Sequence, residues 1–148
     1  MIFMQTRYGT YQITSNAMPA NEMDALPAEV NKELTKIHAS IRKGKCSKSS
    51  IKKLEELHQR FPQVKVIANF LSNTYSFLRH PKSDEFVEQM YKLYPDYLFA
   101  CTNYADLCLR KGDTKTVKKI FKGDFDLRLL YPDRDLFHLS EFLAISSL

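Results

Sequence analysis

An apolar residue followed by proline recurs as Leu26-Pro27, Phe61-Pro62, Tyr94-Pro95 and Tyr131-Pro132, with prolines 35, 33 and 37 residues apart. A turn falls 17 residues after each of the first three, at Gly44, Arg79 and Gly112. His80-Pro81 stops the helix behind Arg79, where no glycine does so. A fixed period with a turn at its middle predicts helix–turn–helix units stacked along the chain.

The stretch Tyr94–Gly123 is the clearest unit. Leu98, Cys101, Ala105 and Cys108 recur at steps of three and four, which places them on one face of a helix. Pro95 suits a first helical turn, Gly112 a left-handed stop, and Asp113 the cap of a second helix carrying Val117, Ile120 and Phe121 inward. The first hairpin buries Leu26, Val30, Leu34, Ile37 and Ile41, then Ile51, Leu54, Leu57 and Phe61. Ser47, Ser49 and Ser50 offer the cap between them. In the second hairpin Ile67, Phe70, Leu71, Thr74, Phe77 and Leu78 form the inward face. Phe86, Val87, Met90, Tyr91 and Leu93 return it, with Ser83 or Asp84 as cap. A final helix starts near Pro132 or Asp133, with Leu136, Leu139, Phe142 and Leu143 on one side.

Tyr104-Ala105, Cys108, Gly112-Asp113, Val117 and Phe121, on this period, resemble the tetratricopeptide repeat family over roughly residues 27 to 131. Trp is absent, and Ser72 and Ala105 stand where a Gly-like residue is usual. A related α-solenoid, or a bundle without true repeat geometry, is the alternative. The expected fold is all-α: stacked antiparallel helix hairpins with about seven helices, over residues 24–148. Residues 1–23 carry no helical period and are expected to be a flexible lead, with TRYGTYQIT at most a marginal strand. Ser15-Asn16-Ala17 before Met18 resembles the remnant of an expression tag, so the native start is open between Met1 and Met18.

Catalysis and metal binding find no support. His38, His58, His80 and His138 fall in four separate elements, and adjacent carboxylates such as Glu55-Glu56 have no partner fixed across a cleft. The glycines are isolated, so no phosphate loop is present, and no cofactor is expected. No stretch is apolar enough to span a membrane, and no secretory leader is evident. Cys46, Cys101 and Cys108 are odd in number, and the last two lie about 10 Å apart along one helix. Free buried thiols in a reducing cytoplasm follow.

Two surfaces remain. Asn69, Asn73 and Ser76 lie opposite the apolar stripe of their helix, and Thr102, Asn103 and Asp106 occupy the comparable side of the third hairpin. The resemblance implies that such first-helix faces line a concave peptide groove, with Asn73 and Asn103 reaching the peptide and Phe99 and Leu109 adding apolar contact. The cations that complete a terminal-carboxylate clamp are missing: Asn69, Leu136 and Ser140 stand at or near those places. The second surface is basic. Arg42, Lys43, Lys45 and Lys48 surround the first turn, and Lys111, Lys115 and Lys119 the third. With a net charge of +5 they give an alternative, a nucleic-acid-binding edge. A third possibility is a structural dimer through Leu136–Leu148. The leading expectation is a non-catalytic scaffold for a protein or peptide partner.

Overall fold

The computed structural model describes residues 1–16, 18 and 25–148. The expected boundary at 23/24, and Ala17 of the tag-like tripeptide, lie outside them. The chain divides into two compact units, Ala20–Leu93 and Met1–Pro19 with Tyr94–Leu148.

Ala20–Leu93 holds four helices: α1 (Ala28–Arg42), α2 (Lys48–Arg60), α3 (Lys65–Phe77) and α4 (Ser83–Leu93). α2 packs along α3, and α3 also touches α4 and α1. Leu34, Leu54 and Ile67 are fully buried at the centre of this core, together with Val30, Ile37, Leu57 and Leu71. The apolar stripes read from helical spacing are buried or half-buried, with two exceptions: Phe77 and Leu93, expected to point inward, are 54% and 63% exposed.

The three turns share one backbone conformation. Gly44, Arg79 and Gly112 take φ of +67°, +51° and +76°. In each, the next amide donates five residues back: Lys45 to Ser40 O, His80 to Tyr75 O and Asp113 to Cys108 O, all at 2.8 Å. That is the Schellman arrangement, which satisfies carbonyls at a helix end and requires a left-handed residue. A side chain in that conformation costs about 1 kcal/mol relative to glycine. Arg79→Gly is therefore expected to stabilise the chain by about that amount, read as a rise in melting temperature. A fall would show that the Arg79 side chain makes a stabilising contact that outweighs the relief.

The aromatic-Pro pairs act differently from the reading above. Pro62 and Pro95 lie three residues before α3 and before α5 (Leu98–Arg110), outside the first helical turn. Each occupies the second position of a tight turn, closed by Val64 N donating to Phe61 O and Tyr97 N to Tyr94 O, both at 3.1 Å. Proline favours this place because its φ is already fixed there. Tyr131-Pro132 makes the same turn, closed by Arg134 N on Tyr131 O at 3.1 Å. A strand follows it instead of a helix.

That strand belongs to the second unit, which contains α5, α6 (Thr114–Ile120), α7 (Leu127–Leu130), β3 (Leu136–His138), α8 (Leu139–Ser146) and, from the chain's start, β1 (Ile2–Thr6) and β2 (Gly9–Thr14). β1 and β2 form an antiparallel hairpin from Ile2↔Ile13 to Thr6↔Gly9. β2 then pairs parallel with β3, Ile13 beside Phe137. The fold is thus mostly helical, with eight helices among the described residues, and carries a three-stranded sheet β1-β2-β3 that an all-α reading did not include. Residues 2–14 are ordered into strands instead of forming a flexible lead: Tyr11 and Ile13 are buried, and the Tyr11 ring meets Phe137 edge-on at 5.2 Å.

The last helix begins at Leu139, not at Pro132 or Asp133, and Leu136 is in a strand. Leu136, Leu139 and Phe142 do have helical spacing, but Phe137, between them, is the fully buried residue. Side-chain and backbone bonds fix this path. Arg128 donates to the carbonyls of Thr10, Pro132 (2.9 Å) and Arg134 (3.0 Å), and to the Asp135 carboxylate (2.6 Å). Arg134 pairs with both oxygens of Glu141 at 3.0 Å and lies over the Phe137 ring at 4.3 Å. Glu141 also accepts the His138 amide at 2.8 Å, capping α8. α8 packs on α5, β2 and β3. Leu143 remains 55% exposed on its outer side.

Candidate interaction surfaces

α3 carries the polar first-helix face of Ala20–Leu93. Its buried side holds Ile67, Ala68, Leu71, Ser72, Thr74 and Tyr75, which turns Asn73 and Ser76 outward. Both are exposed, while Asn69 is half-buried. Thr74, fully buried, returns its hydroxyl to Phe70 O at 2.8 Å.

The matching residues on α5 divide. Thr102 is buried, its hydroxyl donating to Phe99 O at 3.2 Å, so a partner cannot reach it. Asn103 and Phe99 are half-buried, and Phe99 leans on Tyr97 with ring centres 5.6 Å apart. Asp106 is exposed and paired with Arg110 at 3.3 Å. Leu109 is 38% exposed.

Arg42, Lys43, Lys45 and Lys48 are all exposed around the α1–α2 turn, and Lys111, Lys115 and Lys119 around the α5–α6 turn. The two groups belong to different units. Beside the first, the structure adds Phe77 and His80, which the sequence did not assign to it. The tip of the Phe77 ring lies 3.6 Å from the Cβ position of Gly44. A shallow cleft of about 380 Å³ is lined by Lys48, Ile51, Lys52, Glu55 and His80. The α3–α4 turn therefore lies against the α1–α2 turn. A signal for this basic end was present in the sequence: no Asp or Glu occurs between Glu33 and Glu55, or between Glu56 and Asp84.

Behind the cleft, the Tyr75 hydroxyl donates to Glu55 at 2.8 Å, and its ring stacks on His80 at 4.6 Å. Burial, then the Glu55 hydrogen bond and charge, push the Tyr75 phenol well above its ordinary range. His80 accepts the Lys82 amide on Nδ1 at 3.1 Å, which leaves Nε2 as the protonated nitrogen of the neutral ring. His58 meets Phe86 edge-on at 5.5 Å, and His38 stacks on Phe70 at 5.1 Å. Burial holds both histidines below their usual 6.5, with Arg42 also lowering His38. Each group is then more readily protonated in the unfolded chain. Its contribution is present above pH 6.5 and lost as pH falls through the depressed folded-state value. Thermal melts are expected to show stability declining as pH drops below 6.5, with His58→Phe flattening that decline. An identical acid profile in the variant would remove His58 as a contributor.

No family model, curated protein or solved structure matches the chain. Among the described residues, no helix is long and apolar enough to cross a membrane. None of their His, Cys, Asp and Glu side chains form a group of three or more that could hold a metal.

Proposed function

We propose that the chain is a non-catalytic helical-repeat scaffold of tetratricopeptide-like design, which binds an extended segment of a protein partner on its first-helix face. The observation that carries this reading is the phased repetition of one turn conformation, with α1 and α3, the first helices of successive hairpins, in contact. A face made by neighbouring first helices is a surface on which a peptide can lie across several helices. Asn73 and Ser76 are its accessible polar groups, and an Asn amide both donates to and accepts from a peptide backbone. Asn69, Phe99, Asn103 and Asp106 fill out the polar and apolar positions of such faces, and Thr102 is withdrawn from them. The three buried, free cysteines suit a reducing compartment such as the cytoplasm.

This reading separates binding from stability. Asn73→Ala with Ser76→Ala is expected to change stability by no more than about 0.5 kcal/mol, as for exposed residues, and to abolish partner binding. A loss of several kcal/mol would make the two side chains structural. Calorimetric melts of the double variant decide this.

A further inference from the structure

Beyond the peptide face, we propose that the end of Ala20–Leu93 where the α1–α2 and α3–α4 turns meet binds single-stranded nucleic acid. Phe77 is the stacking platform, and Lys43, Lys45, Lys48 and Arg79 engage the phosphates.

Charge is the first argument. The α1–α2 and α3–α4 turns lie within the two acid-free stretches, and Lys43, Lys45, Lys48 and Arg79 are exposed there, with Asp84 and Glu85 of the first turn of α4 as the nearest carboxylates in sequence after the second turn. Glu55 is the one carboxylate lining the cleft, and it is occupied by the Tyr75 hydroxyl. Lys48 and Lys52, one helical turn apart, both line the cleft, so successive phosphates can be met along it. The second argument is the ring. Phe77 is 54% exposed on the outward side of α3, one turn beyond Asn73, and Gly44 has no side chain to cover it. A base stacks on such a ring whatever its identity, while the neighbouring cations track the backbone. A duplex hides its base faces, and an acidic peptide has no need of a stacking surface. The combination of cations and a bare ring therefore selects the single strand.

The test is fluorescence anisotropy of the full chain with labelled oligothymidylate and oligouridylate, beside a hairpin duplex and a polyglutamate peptide. Micromolar binding of the single strands is expected at about 50 mM salt, weakening roughly 50-fold at about 200 mM if four phosphates are neutralised. Phe77→Ala is expected to weaken binding about ten-fold without changing the salt slope, and Phe77→Trp to retain it. Lys43→Glu with Lys45→Glu should abolish binding, and neither lysine belongs to the peptide face, which separates the two activities. Four results overturn the proposal: no binding at low salt, equal or tighter binding of polyglutamate or duplex, an unaltered affinity in Phe77→Ala, or dependence on Lys111 and Lys115 in place of Lys43 and Lys45.

Discussion

Deleting residues 1–14 is expected to remove about 5 kcal/mol or more from the unit that contains both chain ends. Tyr11 and Ile13 are 5% and 3% exposed, and burying side chains of this kind contributes about 2–3 kcal/mol each. The deletion also uncovers Phe137, takes away the strand to which β3 is hydrogen-bonded, and leaves Arg128 without the Thr10 carbonyl. Domains are stable by only about 5–15 kcal/mol, so such a loss is comparable to the whole. Circular dichroism melts of the shortened chain should show one transition lost or moved down by tens of degrees. A melting profile like that of the intact chain would mean the hairpin is an appendage and the account of this unit is wrong.

Leu54→Ala is the matching prediction for Ala20–Leu93. Leu54 is fully buried on α2, in the same cluster as Leu34, Ile67 and Leu71. Truncating a leucine in a closed core costs its transfer energy plus the cavity left behind, about 2–5 kcal/mol. Because α2 is the helix lying along α3, the cavity cannot close without moving that pair. Urea unfolding should therefore lose about 3 kcal/mol with an unchanged slope. A cost below about 1 kcal/mol would mean that the site collapses freely and the helices are loosely held.

The contrast between these two variants shows where the sequence was informative. Leu54 lies in a stripe of period three to four, and a helix's buried face is written locally in such spacing. The turns were legible for the same reason: Gly44 and Gly112 advertise a left-handed stop, and Arg79 could be placed by phase. Asp113 was readable as a cap and accepts the Thr116 amide at 3.0 Å. The β2–β3 pair was not legible, because it joins residues more than a hundred positions apart and neither strand has a strong period of its own. Leu136, Leu139 and Phe142 even spell a helix until Phe137 is given a partner from the chain's other end.

Of the candidate surfaces, Asn73 and Ser76 were placed correctly on an outward face, because they oppose an apolar stripe on one helix. Thr102 was misjudged, since a threonine can satisfy its hydroxyl within its own helix and be buried at little cost. Phe77 was misjudged in the other direction. An aromatic residue at the end of a stripe is ordinarily inside, and only the packing of two turns reveals that this one is exposed beside Gly44.

The most direct test of the scaffold reading is a display selection of random extended peptides against the full chain. The selected sequences would then be titrated against wild type and the Asn73→Ala, Ser76→Ala variant. Enriched peptides that bind wild type and lose at least ten-fold in affinity with the variant, at unchanged melting temperature, are the predicted result. No enrichment, or peptides that bind both proteins alike, would contradict the claim that the first-helix face of α3 is a peptide-binding surface.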